Sequence, residues 1–222
     1  VKDGEAAIEG MADDYAFLIR GALELYNATF NPDYLSEAID LQRTFTEQFA
    51  DQNHGGFFYT AEHAEELLGR QKEIYDGAIP SSNSVGVLNG YHLSRLTGIS
   101  DYEHQSEKIL TAFSEQISDA PAGYTFALYA HQLMQQPSNE ILVTATNHNE
   151  LTTDLLNTAR RYAGIGTVIL LKTENTADQL ETTAPFTESY PVKEQTAAYV
   201  CSNFSCKAPV YDSESLIKLL QN

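Results

Sequence analysis

Apolar residues in the first part of the chain recur at the spacing of helices. Between about Gly10 and Ala28, Tyr15, Leu18, Ile19, Ala22, Leu23 and Tyr26 fall at the i, i+3, i+4, i+7, i+8 and i+11 positions of one helical face. Phe17 and Leu25 lie off that stripe and predict a helix buried on most sides. Asn31-Pro32-Asp33 ends this helix and starts another, since proline suits a first turn and Asn or Asp caps it. The second helix runs to about Asp51, with Ala38, Leu41, Phe45 and Phe49 on one side, and the short link makes the two an antiparallel hairpin. Gly55-Gly56 permits a sharp turn, Phe57-Phe58-Tyr59 suits a short extended piece, and a brief helix is expected from Ala61 to Leu68.

A third helix is predicted over about Ser82 to Thr97, stopped by Gly98 as a left-handed cap. Its Gly86 and Gly90, four residues apart, let another backbone approach. A fourth helix, about Tyr102 to Ile117, aligns Ile109, Ala112, Phe113 and Ile117. A fifth, about Tyr124 to Gln136, aligns Tyr124, Ala127, Leu128 and His131 before Pro137 ends it.

Beyond Pro137 the period changes. Glu140–Thr146 and Thr167–Lys172 read as buried strands, with an amphipathic helix capped by Asn149 between them. A short helix near Ala177–Thr182, a strand Ala197–Cys201 and a helix Ser213–Leu220 follow. Strand–helix–strand at this spacing implies a right-handed crossover and a parallel pair. The fold class is therefore mainly α: helical hairpins over residues 1–138, then a small α/β subdomain with a short parallel sheet over 139–222.

Composition narrows the functions. The 222 residues are 42% hydrophobic, enough for a core. Thirty-one acidic against 13 basic residues give a net charge of −18, which opposes a nucleic-acid backbone and argues against that partner. No apolar run approaches the roughly 20 residues of a membrane span, and no signal peptide is visible, so a cytoplasmic setting is expected. The abrupt start VKDGEAAIEGMADD reads as that of a fragment. The two cysteines, Cys201 and Cys206, are too few for a disulfide scaffold. Their C-x4-C spacing permits a bridge across a turn, but reduced structural thiols are the expected state in a cytosol.

The stretch Lys72–Gly98 joins a polar loop to a helix start, the kind of place where a rigid scaffold presents chemistry. Together GMADDYAFLIRGALELYNATF, GGFFYT, RQKEIYDGAIPSSNSVGVLNGYHLSRLTG and AAYVCSNFSCKAPVYDS resemble one family. It comprises the bacterial thioredoxin-domain proteins and their animal relative, spermatogenesis-associated protein 20. The resemblance implies a thioredoxin-like domain ahead of an (α/α)6 toroid like that of N-acylglucosamine 2-epimerases and six-hairpin glycosidases, of which this chain would be the C-terminal part. The family tends to carry glycine where this chain has Ser82, and a bulkier, glutamate-bearing pair where Ala12-Asp13 stand. A partial toroid leaves apolar faces uncovered, so self-association of the fragment is expected.

In such a toroid Asp14, at a helix start, and Asp76, in a glycine-containing loop, are the best pair for acid–base work on a sugar. Asp at a helix start more commonly caps it. Ser81, Ser82, Asn83 and Ser84 offer hydroxyls, an amide and free helix N–H groups to a small polyhydroxylated ligand. Tyr15 and Tyr59, with Tyr75, are candidates to stack on a sugar ring, and Arg70 to bind a carboxylate. None of the serines stands in a Gly-x-Ser-x-Gly context, which excludes a hydrolase nucleophile of that kind. The six histidines show no ligand spacing, so neither a metal nor another cofactor is expected. His92 and His131, each among apolar neighbours, read as satisfied core histidines.

Overall fold

The computed structural model describes residues 9–64 and 69–221. Helix α1 (Ala12–Thr29) and helix α2 (Pro32–Phe49) form the first hairpin; Phe30 turns the chain at φ 55° and the Asn31 side chain accepts the Asp33 N–H. Buried positions on α1 are Ala12, Ala16, Ile19, Ala22, Leu23 and Tyr26. The face is thus rotated from the predicted stripe: Leu18 is 60% exposed, and Phe17 and Leu25 also reach solvent. Small residues explain the rotation, because Ala12 and Ala16 let α1 sit close to its neighbours where a larger face would hold it off. The Gly55-Gly56 turn leads to a single antiparallel bridge, Ala50 to Phe57, in place of a strand. Residues 61–64 form a turn, and the rest of the helix expected from Ala61 to Leu68 lies outside the described residues.

Helix α3 (Ser82–Thr97) ends at Gly98, whose φ of 78° is the predicted left-handed cap. Every α3 residue except His92 and Arg95 is buried. Helix α4 (Ser100–Ala112) packs so close that a Cβ on Gly90 would stand 2.7 Å from the Tyr102 carbonyl. The predicted fourth helix breaks at Phe113, and a short α5 (Ser114–Asp119) continues it. The ring of Phe113 fills the space beside Gly56, where a Cβ would meet it at 2.9 Å. Helix α6 (Thr125–Gln135) buries Ala127, Ala130 and Leu133, while His131 is exposed, which corrects its reading as a core histidine. Helices α1 and α6 both pack on α3, and hydrogen bonds among Gln42, Thr46 and Gln105 join α2 to α4. Helix α1 thus pairs with α2, and α3 with α4.

The C-terminal part contributes β1 (Glu140–Ala145), α7 (Glu150–Tyr162), β2 (Val168–Thr173), α8 (Ala177–Thr183), β3 (Ala197–Ser202), β4 (Ser205–Cys206) and α9 (Ser213–Leu220). Strands β1 and β2 are parallel with α7 between them in sequence, as the pattern predicts. The sheet is mixed, however, in the order β2-β1-β3-β4, because β3 runs antiparallel to β1. Asn203 and Phe204, both at positive φ, fold the chain back into β4 and bring Cys206 opposite Cys201. The two form a disulfide, not the reduced pair expected from a cytosolic setting. One apolar core runs through helices and sheet without a break at residue 138. Buried Glu140 accepts from Arg95 of α3 at 3.2 Å and from the Phe204 N–H at 3.1 Å. Burial raises the Glu140 pKa, and these donors oppose the rise.

His92 on α3 accepts, at Nδ1, a 2.7 Å hydrogen bond from Arg20 of α1, which also pairs with Glu24. Burial, helped by the Arg20 charge, lowers the His92 pKa to about 3. A histidine held neutral in the folded state and free to charge when unfolded stabilises the fold fully above its ordinary pKa of about 6.5, and this is lost as pH falls toward about 3. Denaturant midpoints measured at about pH 7 and about pH 4.5 are expected to fall less for His92→Gln, whose amide oxygen keeps the Arg20 contact, than for the unaltered chain. Equal falls would assign the acid sensitivity elsewhere.

Candidate functional site

The predicted polar loop lies across the start of α3, and one amide holds it there. Asn83 donates through Nδ2 to the Phe57 carbonyl at 2.9 Å and to the Glu73 carbonyl at 2.7 Å, while its Oδ1 accepts the Phe57 N–H at 2.7 Å. Ser84 adds a bond from its hydroxyl to the Ile74 carbonyl, and Ser81 caps the helix by accepting the Ser84 N–H. The Tyr59 N–H donates to the Gln71 carbonyl, and the Tyr59 carbonyl accepts from Ala12 at the first turn of α1. Three segments distant in sequence are thereby fixed together: the residues after Gly56, the stretch from Gln71 to Ile74, and the N-terminus of α1.

Neighbouring cations brace this frame. Arg70 donates to the Gln48 and Thr60 carbonyls and lies 4.2 Å over the Phe58 ring, so its guanidinium is committed to backbone. Lys72 bonds Asp51 at 2.7 Å and the Gly55 carbonyl at 2.8 Å. That hydrogen bond, with the His54 and Asn53 N–H groups, holds the Asp51 carboxyl well below the usual carboxylate range.

The two acids singled out in the sequence are both occupied with helix ends. Asp14 accepts the Met11 N–H at 2.8 Å, closing the first turn of its own helix. Asp76 accepts the Ser81 N–H at 3.1 Å through Oδ1, and the Phe126 and Ala127 N–H groups at 2.7 and 3.3 Å through Oδ2. It thus caps α6 from a loop fifty residues earlier in the chain, where the exposed N–H groups and helix dipole favour a carboxylate.

A cleft of about 210 Å³ opens beside them, lined by Asp13, Tyr59, Glu73, Tyr75, Gly77, Ala78, Ile79, Pro80, Ser81 and Ser82. Of the predicted residues, Tyr59, Tyr75, Ser81 and Ser82 meet here. Asn83 and Ser84 are buried behind it, and half-buried Tyr15 stacks on Phe45 and lies tilted against Phe49 at the edge of the core. Asp13 and Glu73 are the acids of the cleft, and neither is among the candidates that the sequence pattern singles out. Their carboxylates make no hydrogen bond or ion pair among the described residues, and neither does the Ser82 hydroxyl, although Ser82 is only 3% exposed. The signal that would have found Asp13 is the helix period, since adjacent residues point about 100° apart. For Glu73 it is alternation along an extended segment, which puts Glu73 and Tyr75 on the side opposite buried Ile74.

A larger depression of about 820 Å³ lies between the Gln52–Gly55 turn and α4 and includes His54, Asp101, His104 and Lys108. Among the described residues, no three His, Cys, Asp or Glu side chains group as metal ligands, there or elsewhere. The smaller cleft is the better candidate because Tyr59 and Tyr75 expose aromatic rings there, whereas among the described residues no Phe, Tyr or Trp lines the larger depression.

Asp76→Ala leaves three backbone donors without their acceptor and is expected to destabilise the chain by about 2 kcal/mol. Asp14→Ala, which frees one donor at an exposed helix start, is expected to cost about 1 kcal/mol or less. Urea unfolding checks both, and an Asp76→Ala variant as stable as the unaltered chain would remove the capping role.

No protein-family model matches the chain. Its sequence is 33% identical over 213 residues to spermatogenesis-associated protein 20 of Homo sapiens, covering 95% of this chain and 27% of that protein. The Mus musculus protein of the same name is 32% identical over the same length. An uncharacterized Caenorhabditis elegans protein is 26% identical over 222 residues, 30% of its length. Among the described residues no helix is long and apolar enough to cross a membrane. By sequence the chain is homologous to a segment of spermatogenesis-associated protein 20 and spans about a quarter of the length of that relative.

Proposed function

We propose that this chain is a binding module whose cleft at the start of α3 receives a small polyhydroxylated ligand, and that Asp14 and Asp76 support the cleft without doing chemistry. The observation that carries the reading is the contrast between spent and unspent groups. Asp14, Asp76, Ser81, Asn83, Ser84 and Arg70 satisfy backbone or one another, whereas Asp13, Glu73 and Ser82 face the cleft with no partner among the described residues. Tyr59 and Tyr75, 42% and 57% exposed, add ring surfaces. A volume of about 210 Å³ lies below the ~300 Å³ at which drug-sized pockets begin, which suits one sugar ring.

The pairing of α1 with α2 and of α3 with α4 supports a further part of the reading, that α1–α6 are a portion of a larger (α/α)6 toroid. On fold analogy that toroid brings a carbohydrate prior. A second reading, that the helices are a scaffold for a thioredoxin-like domain in the longer protein, is favoured by the capping of Asp14 and Asp76, since it removes the acids first expected to act.

Calorimetric titration with a panel of monosaccharides separates the two. The binding reading expects saturable heat for at least one sugar, reduced tenfold or more by Tyr59→Ala and unchanged by Asp14→Asn, with the sugar recovered unaltered. Heat for none of the panel would leave the scaffold reading.

A further inference from the structure

We infer that the ligand of this cleft is a hydroxylated primary amine, of the amino-sugar class, in its protonated form; this rests on the cleft being a ligand site at all. The charged side chains lining it, Asp13 and Glu73, are both carboxylates. The nearby cations are unavailable to compensate them: Arg70 is bound to two carbonyls and Lys72 to Asp51. An anionic sugar, such as a phosphate ester or uronate, would enter a negative field on a chain of net charge −18.

An ammonium group reverses that penalty. Carboxylates accept its three N–H donors, and the faces of Tyr59 and Tyr75 attract a cation through their ring quadrupoles. Tyr75 is held edge-on to Tyr124, with ring centres 6.2 Å apart, so its ring is already oriented. Ser82 supplies what the acids alone do not. Ser82 is 3% exposed, lines the cleft, and its hydroxyl makes no hydrogen bond among the described residues. The hydroxyl is not among the fully buried atoms that lack a partner, so it stays within reach of solvent and of a hydroxyl that would replace water there. A ligand carrying hydroxyls beside its amine satisfies Ser82 and both carboxylates together, which a bare alkylamine cannot.

The test compares glucosamine, N-acetylglucosamine and glucosamine 6-phosphate by calorimetric titration of the whole chain at low and moderate salt. Glucosamine is expected to bind at least tenfold more tightly than its neutral N-acetyl counterpart, and the phosphate ester more weakly than glucosamine. Asp13→Asn with Glu73→Gln is expected to erase that preference, and Ser82→Ala to weaken both glucosamine and N-acetylglucosamine, with folding checked by circular dichroism. Equal binding of the amine and its acetylated form overturns the inference while leaving the cleft a sugar site. Binding of none of the three overturns the inference together with the reading beneath it. An amine preference that survives the double variant is attraction to the overall charge, and overturns the inference alone.

Discussion

The structure around the cleft depends on the Asn83 side chain. One amide makes three hydrogen bonds to main chain, and its partners, Phe57 and Glu73, belong to segments that have no regular secondary structure of their own. Buried amides are expensive unless satisfied, so the loop has one arrangement in which the helix start and both segments are paired at once. Aspartate at this position would offer acceptors only and lose both carbonyl contacts; leucine would leave two carbonyls and an N–H unsatisfied in the core. Glu73 and Tyr59 face the cleft because the backbone on which they sit is pinned from behind.

Helix α3 makes such pinning possible. Enclosed by α1, α4, α6 and strand β2, it has no solvent face to spend polar residues on, and its polar residues therefore tie neighbours together. Asn89 reaches the Ala16 carbonyl of α1, Arg95 reaches Glu140 of β1, and Gly90 lets the α4 backbone close in. The same economy governs the acids. Asp76 and Asp14 sit where helix N-termini present unpaired N–H groups, and their carboxylates are committed to that backbone. The acids with no such duty are their neighbours in space, Asp13 and Glu73.

Much of this was legible in the sequence where a residue had a single physical use. Gly98 stops α3, Asn149 caps α7, and Ser213–Leu220 is a helix with the predicted bounds, while the cap of α2, open between Asn31 and Asp33, falls to Asn31. Periodicity faltered where size overrode hydrophobicity. Ala12 and Ala16 face the core in place of Leu18, and Phe113 leaves the helix line to fill the space beside Gly56. The direction of β3 was not legible, because the turn that reverses the chain uses Asn203 and Phe204 at positive φ where a sequence signal would be glycine. The loop from Asp76 to Ser84 was legible as a polar segment entering a helix, and a cleft opens beside it. The choice of Asp14 over Asp13 needed the rotation of α1, which only its packing against α2 and α3 decides.

The central claim is that the unspent groups of this cleft bind a hydroxylated amine, and its most direct measure is a nitrogen-15 correlation spectrum recorded during titration with glucosamine. The account predicts saturable shifts at Tyr59, Glu73, Tyr75 and Ser82, with Asn89 and the sheet residues unmoved. Shifts spread over the acidic surface, or confined to the depression between the Gln52–Gly55 turn and α4, would contradict it.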